Sequence, residues 1–102
     1  MPNRRYNKGR AKEYRAMEIL RKDGFHAIRS AGSHGAVDVI AAKSGKILLI
    51  QVKSGKARIK KDELKELVKW AEAFNGEGQV WHFRGRGNTQ KRRVFAPDQG
   101  DA

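Results

Sequence analysis

Hydrophobic positions along this chain recur with either a helical or an alternating spacing, which predicts two helices and five strands. The first helix should end at Gly24, because a glycine there commonly terminates a helix. Its expected inward positions are Ala11, Tyr14, Met17 or Glu18, and Leu20–Arg21. In chain order, the predicted elements are a helix from Lys8 to about Lys22, strands over Phe25–Arg29, Ala36–Ile40 and Ile47–Lys53, a helix over Lys61–Phe74, and strands over Gln79–Phe83 and Arg92–Ala96.

The two central strands are predicted to form a hairpin that carries polar side chains among apolar ones. A two-residue loop at Ser44-Gly45 would place Asp38 opposite Gln51, and the alternation of side chains would put Lys53 on the same face. Burying such groups without partners costs on the order of 1–3 kcal/mol each. A divalent metal ion and a phosphate would provide the partners.

The order of helices and strands predicts an α/β layer fold with a mixed sheet. At 102 residues the chain should form one domain with a modest core. It has no cysteine, which excludes disulfides and thiolate zinc sites, and its three histidines lack the spacing of metal ligands. It also lacks an apolar run of the roughly 18 residues that span a bilayer, and a secretory leader. We therefore expect a cytoplasmic protein, or one in the host cytoplasm if it is encoded by a virus.

Positive charge is the second strong feature of the sequence. The chain has 23 Lys and Arg against 11 Asp and Glu, a formal net charge of +12, which favours binding to a polyanion such as nucleic acid over a purely solubilising role. A membrane surface is disfavoured, because no predicted helix combines a basic face with a large apolar one. The charge falls in three clusters: Arg4, Arg5, Lys8, Arg10 and Lys12; Lys53, Lys56, Arg58, Lys60 and Lys61; and Arg84, Arg86, Lys91, Arg92 and Arg93.

Asp38, followed after twelve residues by Gln51-Val52-Lys53, resembles the core motif of the PD-(D/E)XK nuclease superfamily. Within that superfamily the chain is most similar to the archaeal-type Holliday junction resolvases, from about Asn7 to Phe95. The motif alone has low specificity, but Glu13 early in the first helix and the run Gly24–Ser33 occur in the expected order. The resemblance implies a single-domain restriction-endonuclease-like fold, in which a central mixed sheet of about five strands is flanked by helices. The nuclease core would cover about residues 7–96, with a basic arm at 1–6 and a flexible tail at 97–102.

The resemblance also implies roles for individual residues. Catalytic roles fall to Glu13, Ser30, Asp38, Gln51 and Lys53, and metal ligation to Glu13, Asp38, Gln51 and the backbone carbonyl of Val52. The expected DNA contacts are Arg4, Arg5, Lys8, Arg10, Arg29, Ser33, Lys56, Arg58 and Lys60. The expected metal is Mg²⁺, with Mn²⁺ as a substitute. Ser30 is the match to the family's serine near the scissile phosphate, and Ser33 is the alternative match.

Each of these residues also has a simpler explanation. Glu13 suits the first turns of a helix, Asp38 the end of a strand, and Lys53 an ordinary phosphate contact. Gln51 departs from the family pattern, since a neutral amide replaces the usual carboxylate. This change should weaken metal binding and shift the preference towards Mn²⁺, or it could mark a protein that binds DNA without cutting it.

The function expected from the resemblance is a metal-dependent, structure-selective endonuclease that resolves four-way (Holliday) junctions by paired symmetric cuts. A homodimer is expected, because a two-fold enzyme provides two symmetric cuts. Neither a membrane nor a small-molecule substrate is expected. The alternatives are a nuclease of the same superfamily that acts on another branched or nicked DNA, and a non-catalytic basic DNA-binding protein.

Overall fold

The computed structural model describes residues 4–30, 35–85 and 87–97, with side chains from residue 10 onwards. These residues form two helices and five strands in the predicted order. The elements are α1 (Arg4–Lys22), β1 (His26–Arg29), β2 (Val39–Lys43), β3 (Lys46–Ser54), α2 (Lys61–Phe74), β4 (Glu77–Phe83) and β5 (Thr89–Phe95). Strands β4 and β5 begin two and three residues earlier than the alternation predicts, because their first residues pair with a neighbouring strand.

The sheet has the strand order β1-β2-β3-β4-β5 and is mixed, as predicted. All neighbouring strands are antiparallel except β3 and β4, which are parallel and joined through α2. The hairpin turns at Ser44 and Gly45, whose φ angles of 50° and 83° are typical of a two-residue turn that matches the strand twist. The pairs Ala42–Ile47 and Val39–Ile50 confirm the predicted register.

The two helices pack on opposite faces of the sheet. Helix α1 covers one face with Ala16, Met17 and Leu20, which contact alternate residues of β2, β3 and β4, including the buried Trp81. Helix α2 covers the other face with Leu67 and Ala71. The polar members of the hairpin therefore lie at one end of a sheet whose middle is apolar on both sides.

Helix α1 differs from its prediction in two respects. It begins at Arg4 rather than Lys8, so the predicted basic arm is partly helical. Its buried residues include Ala16, whereas Ala11 is exposed and the Tyr14 ring lies 5.0 Å from the guanidinium of Arg29 at the surface. The small Ala16 side chain lets the helix approach the sheet closely, which a pattern weighted towards large apolar residues does not reveal.

Helix α2 has the predicted bounds, and its start contributes to the candidate site. Glu63 accepts a hydrogen bond from the Lys60 backbone N–H at 2.9 Å, which satisfies a donor at the helix N-terminus. Asn75 ends the helix in a left-handed conformation with φ of 52°. Neither helix, over the residues described, is long and apolar enough to cross a membrane.

Candidate active site

Asp38 directly precedes β2, beside the end of β1 and opposite Gln51 of β3. Its backbone N–H donates to the Ile50 carbonyl at 2.8 Å, and its own carbonyl accepts a hydrogen bond from the Ser30 N–H at 2.8 Å. Its side-chain Oδ2 accepts the next N–H of β3, that of Val52, also at 2.8 Å. The carboxylate thus occupies the position of a backbone carbonyl at the end of the β2–β3 ladder, which fixes its orientation.

Gln51 lies on β3 opposite Asp38, one residue beyond the Val39–Ile50 pair. Its side chain is only 5 % exposed, and its Oε1 is buried without a hydrogen-bond partner among the described residues. An unsatisfied buried carbonyl oxygen costs about 1–3 kcal/mol, so native structures seldom keep one without a reason. A hard cation between Asp38 and Gln51 would supply the missing partner.

Burial dominates the electrostatics of Asp38. The pKa of its carboxyl group is raised from 3.8 to about 6, chiefly by desolvation and against the lowering effect of the Val52 hydrogen bond. The nearby carboxylates of Glu13 and Glu63 contribute to this rise, and the Lys53 ammonium opposes it. Four charged side chains from α1, β2–β3 and α2 therefore act on one another at this end of the sheet.

We expect Asp38→Asn to stabilise the metal-free fold at pH 8. Between about pH 4 and 6 the unfolded carboxyl ionises while the folded one stays protonated, so the wild-type free energy of unfolding falls as the pH rises through this range. The variant lacks this loss, so relative to the wild type its free energy of unfolding should be higher by about 3 kcal/mol at pH 8 and little changed below pH 4. Thermal unfolding in EDTA across this pH range measures the gain. A lower midpoint for the variant at pH 8 would contradict it.

Glu13 is engaged by an arginine. Arg29 on β1 donates to Glu13 Oε1 at 3.1 Å, and both side chains are mostly buried. This hydrogen bond is the main reason that the pKa of Arg29 is raised. The structure thus brings Glu13 close enough to act on Asp38, while Arg29, an expected DNA contact, neutralises it.

Lys53 is held by a residue that the sequence analysis missed. Its Nζ lies 3.2 Å from Oε1 and 3.1 Å from Oε2 of Glu63, in the first turn of α2. Burial alone would raise the pKa of Glu63, but the hydrogen bonds from the Lys60 N–H and Lys53 hold it below its usual value. The one sequence signal at Glu63 was an acid near a helix start, and that signal does not reveal a contact with Lys53.

The other predicted residues are placed as follows. Ser30 directly follows β1 and is half-buried, and its backbone is tied to Asp38. Arg10 is exposed on α1, and Lys56, Arg58 and Lys60 are exposed between β3 and α2. Arg4, Arg5 and Lys8 lie in α1, with side chains outside the described part of the chain, and Ser33 lies outside it altogether. Their DNA contacts stay predictions.

Residues 4–99 match the family described as "Archaeal Holliday junction resolvase (Hjc)". The chain belongs to this family. The resemblance of the sequence to the archaeal-type Holliday junction resolvases is thereby confirmed. Because the match covers both helices and all five strands, it includes every residue of the candidate site.

Individual members of the resolvase family support the assignment. A "Crossover junction endodeoxyribonuclease Hjc" from Methanocaldococcus jannaschii is 38% identical over 76 residues, which cover 72% of this chain and 56% of that protein. A "Crossover junction endodeoxyribonuclease" from Sulfolobus islandicus rod-shaped virus 1 is 35% identical over 74 residues, or 66% of this chain and 61% of that protein. The matches span less than two thirds of either relative's length.

The fold is that of a solved Holliday junction resolvase. The 1.6 Å structure of Hjc from Archaeoglobus fulgidus, described as a Holliday junction resolvase from an archaeal hyperthermophile, matches with a TM-score of 0.76. The two are 32% identical, and the match covers 85% of this chain and 73% of the other. The predicted fold class, a restriction-endonuclease-like domain with a five-stranded mixed sheet, is confirmed.

The donor set of this resolvase-family site fits a hydrated divalent cation. Mg²⁺ keeps several of its waters and binds through one or two carboxylates. Among residues 4–30, 35–85 and 87–97, no group of three or more His, Cys, Asp or Glu side chains could hold a metal. The reason is local: Gln51 stands where the pattern has an acid, and Glu13 is paired with Arg29. Asp38 and the unpartnered oxygen of Gln51 remain as the adjacent hard donors.

Proposed function

We propose that this chain is a metal-dependent, structure-selective endonuclease that resolves four-way DNA junctions by paired symmetric cuts. The observation that carries the proposal is the half-buried Asp38 carboxylate, held opposite the unpartnered, buried oxygen of Gln51, with Lys53 two residues further on the same face. Polar side chains on apolar strands lower the stability of the fold unless they have partners, and a bound ligand would supply these partners. The relatives are named crossover junction endodeoxyribonucleases, which supports a DNA junction as the substrate class.

Each side chain has a distinct part in the proposed hydrolysis. Nucleases of this family are generally metal-dependent, and we propose Mg²⁺ here, with Mn²⁺ as a substitute. When bound, the metal supplies Lewis acidity for the attacking water and for the phosphate. Asp38 and Gln51 would hold it, with the Val52 carbonyl and Glu13 as further ligands. Lys53 would face the scissile phosphate and neutralise the charge that develops in the transition state, and Ser30 would lie near that phosphate.

We propose that Glu63 positions Lys53 in this reaction. Its two oxygens hold the ammonium in one direction, and Glu63 is itself fixed by the helix N-terminus. Glu63→Gln should lower the junction cleavage rate at saturating Mg²⁺ by about tenfold, because part of the transition-state interaction depends on this orientation. Junction affinity and the Mg²⁺ concentration for half-maximal rate should stay within about twofold, since binding rests on other groups.

Glu66→Gln is the matched control, since Glu66 is an exposed acid on the same helix. It removes the same charge and should leave the cleavage rate unchanged. Single-turnover cleavage of a labelled junction gives the rates, and thermal unfolding shows whether each variant folds. Equal rates for the two variants would mean that Glu63 serves only as a helix cap.

We propose that the active unit is a homodimer, because two symmetric cuts need two sites related by a two-fold axis. Trp70 and Phe74 on α2 support this proposal. They are 44% and 40% exposed, and their ring centroids lie 6.1 Å apart, so together they form an apolar surface pair. Such pairs commonly lie in interfaces. Sedimentation equilibrium should give twice the monomer mass for the wild type and a monomer for Trp70→Ser/Phe74→Ser.

One cleavage assay separates the candidate functions. Four-way junctions, flaps, nicked duplexes and linear duplexes of matched sequence are incubated with the protein, with and without Mg²⁺. The proposal expects paired cuts in the junction alone. Equal or faster cutting of a flap or nick would favour another substrate of the same site, and binding without cutting in Mg²⁺ or Mn²⁺ would indicate a non-catalytic DNA-binding protein. We propose that the protein acts in the cytoplasm, or in the host cytoplasm if it is encoded by a virus.

A further inference from the structure

We infer that a second phosphate-binding pocket lies beside Lys53, where β3 and β4 end and β5 begins, and that it holds a backbone phosphate of the DNA strand next to the phosphate that is cut. The inference rests on the proposed function and adds a site to it. The pocket has a volume of about 330 Å³. Its polar lining consists of Lys53, Arg58, His82, Arg84, Gln90 and Arg92.

The pairing of the strands places these side chains on one face of the sheet. Lys53 on β3 pairs with His82 on β4, which in turn pairs with Gln90 on β5, so the three form a row across the sheet. Arg92 pairs with Val80 and lies two residues along β5 from Gln90, so it is on the same face as this row. The catalytic lysine therefore stands at the boundary between the candidate active site and the pocket.

The loop that carries Arg58 is fixed to the end of β4. His82 Nε2 donates to the Gly55 carbonyl at 2.7 Å, and the Gly55 N–H donates to the Phe83 carbonyl at 3.1 Å. On the other side, the Arg84 N–H donates to the Asn88 carbonyl at 2.8 Å. The backbones beside Arg58 and Arg84 are thus held before any ligand arrives, which lowers the entropic cost of binding.

Three arginines of the pocket have no acidic partner among the described residues, whereas Lys53 at its edge is paired with Glu63. Arg29 and Arg93 each have a glutamate within 4.0 Å. By contrast, no carboxylate of the described residues lies within ion-pair distance of Arg58, Arg84 or Arg92. Guanidinium groups that converge in this way repel one another until an anion binds, and their planar donors match the oxygens of a phosphate.

The position of the pocket indicates which anion it takes. Lys53 lines it and also faces the proposed scissile phosphate, so an anion in the pocket is a near neighbour of that phosphate. In a DNA strand such a neighbour is another phosphodiester. Contacts of this kind set register and affinity without reading sequence, which suits an enzyme selective for structure.

Arg92 and Arg93 provide a matched pair of variants. They are adjacent on β5, equally charged and exposed, but they lie on opposite faces, and Arg93 contacts Glu77 at 4.0 Å instead of the pocket. Both are changed to Gln in the Asp38→Asn protein, so that junction binding is measured without cleavage. Affinities are taken from titrations between 50 and 200 mM salt.

We expect Arg92→Gln to weaken junction binding by about tenfold and to reduce the log–log salt slope by about one, the loss of one phosphate contact. Arg93→Gln should change affinity less than twofold, and Arg92→Lys should restore most of the loss. Thermal unfolding confirms that the variants fold. Equal effects of the two Gln variants would overturn the inference.

A second experiment distinguishes a DNA phosphate from a free one. Single methylphosphonate linkages are placed near the cut site, and the linkage held by the pocket should weaken binding of the Asp38→Asn protein but not of its Arg92→Gln derivative. If no linkage behaves in this way, the inference is wrong. It is also wrong if Arg92→Gln changes only the affinity for inorganic phosphate, because the pocket would then take a free anion.

The two proposals fail in different ways. If the wild-type protein cuts junctions but Arg92→Gln and Arg93→Gln change junction affinity equally, only the phosphate pocket is refuted. A wild-type protein whose junction binding depends on Arg92 but which cuts nothing in Mg²⁺ or Mn²⁺ refutes the proposed activity and supports the pocket as a DNA contact.

Discussion

Asp38→Asn is expected to lower junction cleavage on the order of 10³-fold while junction affinity stays within about threefold. In the proposed mechanism hydrolysis depends on a divalent cation, and Asp38, which β3 holds in place through the Val52 N–H, is its proposed anionic donor. Junction binding is proposed to rest on cations outside this site, which the substitution leaves intact. We therefore expect the cleavage rate to fall without a matching fall in junction affinity, because the rate should depend on one carboxylate and the affinity on many cationic side chains.

Single-turnover cleavage and junction titrations measure the two quantities. Asp23→Asn is the matched control, since Asp23 is an exposed aspartate just after α1. It should cleave at the wild-type rate. If Asp38→Asn has the expected higher free energy of unfolding, its loss of activity cannot be due to unfolding. Wild-type turnover of Asp38→Asn in Mg²⁺ would remove Asp38 from the site.

The site therefore reduces the stability of the fold that carries it. A half-buried carboxylate with a pKa raised to about 6 and an unpartnered, buried amide oxygen both weaken the metal-free protein. Mg²⁺ should offset this cost in the wild type and not in Asp38→Asn, because a ligand that binds only the folded state stabilises it. The apolar clusters under α1 and α2 must supply the remaining stability.

The hairpin could be predicted because its determinants are local. Ser44-Gly45 selects a two-residue turn, and the alternation of apolar residues then fixes which side chains oppose each other. The bounds of α2 follow from its regular apolar spacing in the same way. Helix α1 was harder to predict, because in a segment so rich in charge the small Ala16 carries part of the buried face.

Contacts between distant segments could not be predicted. The distance of Glu63 from Lys53 depends on how the connection between β3 and α2 turns back, and no periodicity records that turn. The roles of Arg92 and Arg93 likewise depend on the β4–β5 register, which shifts between Gly78 and Gln79. The sequence identifies one basic cluster there, while the fold divides it between two faces.

Gln51 is expected to control metal affinity, since it stands where the family pattern has an acid. Gln51→Glu preserves size and adds a charge opposite Asp38, so Mg²⁺ should bind about tenfold more tightly and half-maximal cleavage should occur at a lower concentration. Gln51→Leu removes the oxygen altogether and should lower cleavage by on the order of 10²-fold. Replacing Mg²⁺ with Mn²⁺ should raise the cleavage rate of the wild type and of Gln51→Glu more than that of Gln51→Leu.

Stability separates a ligand from a structural residue. If the Gln51 oxygen is unsatisfied in the metal-free protein, Gln51→Leu removes its desolvation cost and should raise the free energy of unfolding in EDTA by about 1–2 kcal/mol. The same variant should lose most of the stabilisation that Mg²⁺ gives the wild type. Thermal unfolding with and without metal, and calorimetric titration of Mn²⁺, measure both effects. A less stable Gln51→Leu with wild-type metal affinity would mean that Gln51 supports the strand and that Asp38 binds the metal without it.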